Sequence, residues 1–167
     1  MNQLFIRDMD EAIVTEILNW KYEAPYDFYD IEFTSDALNE LLENPYYAVI
    51  NHTGELVGFF CIGKSAQVPI GIQYGAYQEK FVDIGIGMKP ALTGKGNGSV
   101  FFAFVINHIE EQHHTPMRLT VATFNKRAIR LYEKFGFDKV LEFNSQGIDF
   151  TTMVREHLEY EGYNKGR

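Results

Sequence analysis

Val82-Asp83-Ile84-Gly85-Ile86-Gly87-Met88-Lys89-Pro90-Ala91-Leu92-Thr93-Gly94-Lys95-Gly96-Asn97-Gly98-Ser99 runs directly into the apolar stretch Val100 to Ile109. An apolar strand-like run, a glycine-rich turn and a helical run in that order predict a helix start whose unpaired backbone N–H groups converge on an anion. Glycines at every second position, Gly94, Gly96 and Gly98, remove side chains that would hold a pyrophosphate away from the backbone. Lys95 adds a cation in the same loop. An anion at such a terminus gains about 0.3–1 kcal/mol when exposed and up to roughly 2 when partly buried, so a polyanionic ligand must gather several contacts. Lys89 and Gly96 stand where a P-loop needs glycine and Ser or Thr, and the dinucleotide fingerprint fails at Pro90 or at Ser99, depending on the glycine from which it is begun. On this loop alone, a glycine-rich turn that binds nothing stays open as the alternative.

The 167 residues fit one domain, long enough to bury roughly two-thirds of its unfolded surface in a single core. A net charge of −8 argues against a nucleic-acid surface and favours neutral or cationic partners. Cys61 is the sole cysteine, which excludes an internal disulfide and fits a reducing cytoplasm; its apolar run makes inert packing its expected role. Met1 to Asp8 lacks a basic segment followed by an apolar one, and no apolar run is long enough to span a bilayer, so a cytoplasmic protein without a membrane partner is expected. Adjacent His113 and His114 do not share a helix face, and no metal site is expected.

Outward from the loop, Leu4 to Arg7 reads as a strand, followed by a helix capped by Asp10 that carries Ile13, Ile17, Leu18 and Trp20 and ends before Pro25. A second helix starts near Thr34 to Asp36 and ends at Asn44-Pro45. Between them, residues 22–32 crowd Tyr26, Tyr29, Asp30 and Glu32 together, a mixture of rings and carboxylates suited to an organic ammonium or equally to a solvated cover over the core. Tyr46–Asn51 and Glu55–Gly63 pair as a hairpin, Gln67–Gln78 forms a longer loop holding Tyr74, and Lys80–Met88 is the strand feeding the cradle. The helix after the cradle is apolar on all sides, which marks a central buried helix. Met117–Thr123 is the next strand; Asn125 caps a helix stopped by Gly136, and Lys139–Phe143 with Ile148–Val154 close the fold as a hairpin. Residues 156–167 form a polar tail expected to fray, leaving 1–155 as the domain. The central strand, helix and strand form one βαβ unit, so the strands ending near Met88 and Thr123 are expected to be parallel neighbours in a mixed sheet.

Two motifs now resemble the GNAT acyltransferase superfamily. Met88-Lys89-Pro90 with Thr93-Gly94-Lys95-Gly96-Asn97-Gly98 is similar to its acetyl-CoA signature, and Asn125-Lys126-Arg127-Ala128-Ile129-Arg130-Leu131-Tyr132-Glu133-Lys134-Phe135-Gly136-Phe137 resembles its N-x-x-A-x-x-L-Y-x-K-x-G-F motif. With the element order, the resemblance covers roughly residues 4–155. It implies an α/β (α+β) fold with a mostly antiparallel mixed sheet, helices on both faces, and a central parallel strand pair that splays to admit the pantetheine arm of acetyl-CoA. Ile86 and Met88 would then supply backbone contacts to that arm, residues Thr93, Gly94, Lys95, Gly96, Asn97, Gly98 and Ser99 would hold the pyrophosphate, and Asn125, Lys126 and Arg127 would complete the cofactor site, with Lys89 a further cation for the outer phosphates.

The resemblance implies an N-acetyltransferase acting on a small primary amine by direct attack in a ternary complex, with acetyl-CoA as cosubstrate and no metal. Tyr132 matches the family's tyrosine near the thioester sulfur and is the expected general acid, protonated at neutral pH because a phenol's ordinary pKa is about 10. The backbone N–H of Met88 is the expected carbonyl polariser. Asp83 is the first candidate base, with Glu32, Asp30 or a chain of waters as alternatives; Tyr26, Tyr29, Asp30, Glu32 and Tyr74 are the expected substrate contacts. Thr93 replaces the signature's Gln or Arg, and Thr120 and Ala122 stand where members acting on ribosomal protein N-termini carry Glu and Arg, which weakens the case for a protein or peptide amine. A domain that binds acetyl-CoA without turnover is the alternative from another class, and homodimers are common in the family.

Overall fold

The structure, a computed structural model, describes residues 3–156; the expectation of a fraying tail therefore falls on residues that lie, but for Glu156, outside the described ones. Strands β1 (Leu4–Asp8), β2 (Tyr46–Asn51), β3 (Leu56–Ile62), β4 (Val82–Met88), β5 (Met117–Ala122), β6 (Asp138–Ser145) and β7 (Ile148–Arg155) alternate with helices α1 (Glu11–Leu18), α2 (Ser35–Glu43), α3 (Asn97–Gln112) and α4 (Lys126–Lys134). They form one sheet in the order β1-β2-β3-β4-β5-β7-β6. Among its pairings β4 with β5 is parallel and the others are antiparallel. This is the mixed α/β sheet that the sequence predicts.

Helices cover both faces because neighbouring strand residues point to opposite sides. On β2, Val49 joins a core with Phe101, Phe102, Val105 and Ile129 from α3 and α4, while adjacent Ala48 joins Val14, Ile17, Leu18 and Leu41 from α1 and α2. Asp10 and Thr34 cap α1 and α2 by accepting from Ile13 N (2.8 Å) and Ala37 N (3.1 Å). The all-round burial expected of α3 is not found: Phe101, Phe102, Val105, Ile106 and Ile109 are buried, whereas Val100 is 48% exposed, because α3 lies against one sheet face.

Two boundaries differ from the sequence reading. Helix α1 stops at Leu18, where the Asn19 amide donates to Thr15 O at 2.9 Å, so Trp20 leaves the helix and enters the following loop. Strands β6 and β7 extend farther than expected and meet in a two-residue turn at Gln146-Gly147, whose φ values of 51° and 85° match the twist of a tight hairpin.

The sheet admits α3 closely at one point. A Cβ on Gly58 would lie 2.6 Å from Gly87 O on β4 and 2.7 Å from the Phe101 ring of α3. Since neither a strand carbonyl nor a buried ring yields cheaply, Gly58→Ala is expected to destabilise the fold by about 1–3 kcal/mol in urea denaturation.

Candidate active site

The parallel pair is joined only at its start. Val82, Asp83 and Ile84 face Met117, Arg118 and Leu119, and the pairing ends there although β4 continues to Met88 and β5 to Ala122. Beyond Ile84 the strands part, and the space between them is a cavity of about 590 Å³ lined by Ile84–Met88 of β4 and Leu119–Val121 of β5. Lys89 N–H donates to Val57 O on β3 at 2.8 Å. By the alternation of an antiparallel ladder, Met88 and Ile86 turn their backbone groups toward the gap.

The glycine loop closes one end. Gly96 takes φ 79° as the residue before α3, a left-handed conformation that suits glycine, and Thr93, Gly94, Gly96, Gly98 and Ser99 all line the cavity. The Thr93 hydroxyl donates to Pro90 O at 2.7 Å, and the Asn97 amide donates to Leu92 O at 3.1 Å, so both side chains brace the loop itself. Lys95 and Asn97 are not among the lining residues, and Lys126 is exposed outside the lining.

Helix α4 supplies the opposite wall. Asn125 caps it by accepting from Ala128 N at 3.1 Å and donates its amide to the Tyr29 hydroxyl at 3.2 Å. Arg127 lies over the Tyr26 ring, 4.2 Å from its centroid, and its guanidinium would be 3.3 Å from a Cβ on Gly94. Thus a cation stands over the glycine loop. Arg130 and Lys134 also line the cavity, the Lys134 ammonium donating to Ser99 Oγ at 3.2 Å. Arg127, Arg130 and Lys134 recur at helical spacing, so the sequence carries a signal for one basic stripe on α4.

Tyr132 lines the cavity at 7% exposure, its ring packed on Phe102 and Phe137 at 5.1 and 6.3 Å. Among the described residues nothing hydrogen-bonds its hydroxyl. Burial, and then the nearby Tyr29, pushes its pKa well above the ordinary phenol value, so it holds its proton.

The other expected site residues divide. Tyr26 and Tyr29 line the cavity, whereas Asp30, Glu32, Tyr74 and Lys89 do not. Asp30 Oδ1 instead accepts from Tyr22 N at 2.9 Å and pins the loop after α1. Tyr74 is exposed, stacked on Phe143 with ring centroids 5.9 Å apart. Asp83 is buried outside the cavity, with Oδ1 accepting from Arg118 Nε at 2.7 Å and Oδ2 from Arg118 Nη2 and Gln67 Nε2, both at 2.9 Å. Asp83 and Arg118 thus form a buried ion pair.

Sequence reasoning missed Trp20, Tyr22, Phe59 and Thr120, all in the lining. The Tyr22 hydroxyl donates to Met88 O at 2.8 Å, tying the loop after α1 to the end of β4. Thr120 Oγ1 shares a 2.8 Å hydrogen bond with the Tyr77 hydroxyl, which accepts from Val68 N at 2.9 Å. Cys61 is buried as expected, and burial pushes its thiol up to about 11. Its alkylation by iodoacetamide at pH 8 is expected to be at least about ten-fold slower in the native protein than in denaturant, followed by mass spectrometry.

Known proteins share this fold. The acetyltransferase (GNAT) family model matches residues 12–137, and the chain belongs to that family. No curated protein matches the chain in sequence. Among solved structures, an acetyltransferase of the GNAT family from Bacillus anthracis aligns at TM-score 0.70 and 19% identity over 95% of this chain and 97% of its own. Spermidine N-acetyltransferase from Vibrio cholerae in complex with CoA and spermine aligns at TM-score 0.69 and 19% identity, over 94% of this chain and 97% of that one. An aminoglycoside acetyltransferase in complex with coenzyme A gives TM-score 0.67 and 19% identity over 92% and 95%. No helix among the described residues is long and apolar enough to cross a membrane, and no cluster of three potential metal ligands occurs among them.

Proposed function

We propose that this chain transfers an acetyl group from acetyl-CoA to the primary amine of a small molecule by direct attack in a ternary complex. The observation that carries the reading is the fork after Ile84 and Leu119, walled by a glycine loop at one end and bordered by Tyr132. The thioester supplies an activated acyl group; the remaining roles fall to the protein. Ile86 and Met88 offer backbone groups to an extended chain in the gap. Gly94, Gly96, Gly98 and Ser99 with Arg127, Arg130 and Lys134 offer N–H groups and cations to phosphates, and the fit is supported by an open loop in which a Cβ on Gly96 would meet nothing within 4 Å.

In this reading the Met88 N–H polarises the acyl carbonyl. As the amine nitrogen bonds to the acyl carbon and the carbon–sulfur bond breaks, Tyr132 gives its proton to the departing sulfur. The surplus proton on nitrogen passes to water, and Tyr132 recovers its own from solvent. With Asp83 held by Arg118, no carboxylate of the described residues lines the cavity to act as base, so the amine enters already neutral. Thiol release from acetyl-CoA over a panel of primary amines tests the reading. Amine-dependent release is expected; tight acetyl-CoA binding in calorimetry with no release on any acceptor would leave a binding domain without turnover.

A further inference from the structure

Tyr29 and Tyr132 line the same cavity, and the hydrogen bonds around their two hydroxyls are unequal. Nothing among the described residues bonds the Tyr132 hydroxyl, whereas the Tyr29 oxygen is held. Tyr29 ends the short 3-10 helix Tyr26–Tyr29 between α1 and α2, half-buried, with its ring against Phe28 and Phe124 at centroid distances of 5.1 and 6.1 Å. The next residue, Asp30, anchors that segment by accepting from Tyr22 N at 2.9 Å. The cap of α4 then decides which way the Tyr29 hydrogen bond runs. A backbone N–H can only donate, so Asn125 turns Oδ1 to Ala128 N (3.1 Å) and is left to offer its amide Nδ2 to the Tyr29 oxygen (3.2 Å). The Ala122 backbone N–H acts on the same oxygen. Tyr29 therefore accepts there, and its own proton has no acceptor among the described residues. Other hydroxyls of the lining are spent, Tyr22 on Met88 O and Thr93 on Pro90 O. Asn125 lies two turns before Tyr132 on the same side of α4, and helical side chains tilt toward the helix start, so Tyr132 leans back toward the cap and Tyr29. After burial itself, Tyr29 is what acts on the Tyr132 hydroxyl.

We infer that Tyr29 is a positioning residue for the general acid, its O–H donating to the Tyr132 oxygen while the Tyr132 proton passes to the departing sulfur. The inference rests on the transferase reading. The Tyr132 O–H bond breaks as the S–H bond forms, and the Tyr29 O–H bond stays intact throughout. A donor aimed at an oxygen that is gaining negative charge stabilises the transition state more than the ground state. Such bonds are often long before substrate is bound and tighten in the reacting complex. Tyr132 needs this help because burial opposes its anion and no other residue among the described ones bonds its oxygen. Tyr29 is suited to give it. Burial raises its pKa too, but the Asn125 amide and the Ala122 N–H work against that rise and polarise the O–H toward donation.

The test is a double-mutant cycle read by thiol release from acetyl-CoA, with a primary amine that the unaltered protein accepts. Tyr29→Phe keeps the ring on Phe28 and Phe124 and removes only the hydroxyl. It is expected to lower kcat by about ten-fold, the scale of one hydrogen bond to a charged group, with KM for both substrates within about two-fold. Added to Tyr132→Phe, it is expected to change kcat by less than about two-fold, because a residue that acts through the Tyr132 hydroxyl has nothing left to act on. An unchanged kcat in Tyr29→Phe overturns the inference. So does a further loss of about ten-fold in the double variant, which would set Tyr29 against the substrate instead. Asn125→Asp is the second variant: it keeps a cap acceptor for Ala128 N but puts a carboxylate where the amide donated, which turns the Tyr29 proton away from the gap. At saturating acetyl-CoA it is expected to cost at least about ten-fold in kcat alone and less than about two-fold beside Tyr132→Phe, and it decides the question should Tyr29→Phe fail to fold. A ten-fold loss beside Tyr132→Phe overturns the inference here as well. No thiol release by the unaltered protein over the whole amine panel sinks the transferase reading and this inference with it; turnover by Tyr29→Phe at the unaltered rate sinks this inference alone.

Discussion

Tyr132→Phe is expected to lower kcat for amine acetylation by about a hundred-fold while leaving acetyl-CoA binding within about two-fold, because positioned general-acid catalysis contributes on that scale. The substitution removes one hydroxyl and keeps the ring that packs on Phe102 and Phe137. Since nothing among the described residues hydrogen-bonds that hydroxyl, thermal stability should move by less than about 1 kcal/mol. The pH profile sharpens the test. Burial raises the Tyr132 pKa, so its proton is retained through neutral and mildly alkaline pH, and no descending limb belongs to it below the ordinary phenol value of about 10. The ascending limb should follow the pKa of the amine used, shifting when an amine of different basicity is supplied. An unchanged kcat in Tyr132→Phe would leave the hydroxyl as packing and reassign the proton donor.

What the sequence disclosed and what it hid separate along a physical line. Tyr132, Asn125 and the glycine loop are fixed by local rules, a cap, a helical face and a turn, and each is legible within about ten residues. The mixed sheet followed because one βαβ crossover surrounded by hairpins allows few arrangements. Trp20 was hidden because its apolar spacing continues that of α1, and the end of α1 at Leu18 depends on where Asn19 turns its amide. Phe59 and Thr120 enter the cavity through strand register, which no local pattern states. The carboxylates of residues 22–32 looked like half of an ammonium site; that one of them, Asp30, pins the loop becomes visible only when it is seen to accept from the Tyr22 backbone. Lys95 and Lys126 carry the right charge in the right motifs, yet their side chains leave the cavity while Arg130 and Lys134, one and two helical turns farther along α4, line it.

Asp83→Ala is expected to cost about 3–5 kcal/mol of stability in urea denaturation, the scale for leaving a buried charge without its partner. The fork explains why this residue carries such weight in the fold. Asp83 sits opposite Arg118 in the paired segment, one step before the strands separate, so its side chain meets a neighbouring strand where a residue two positions later would meet the gap. Arg118 is 3% exposed, lies 5.1 Å from the Tyr77 ring centroid and 5.3 Å from that of Phe81, and donates to Glu79 O at 3.2 Å as well as to Asp83. Removing the carboxylate strands the guanidinium among those rings. Removing both charges as Asp83→Leu with Arg118→Met should restore part of the loss, since a buried pair replaced by apolar groups of similar volume is often close to neutral. For each variant still folded at the assay temperature, kcat per folded molecule and the ascending pH limb should stay within about three-fold of the unaltered protein, as expected of a residue that holds the fork's hinge. A loss of about a hundred-fold in a stably folded double variant, together with a vanished ascending limb, would return Asp83 to the chemistry and require the ion pair to open during turnover.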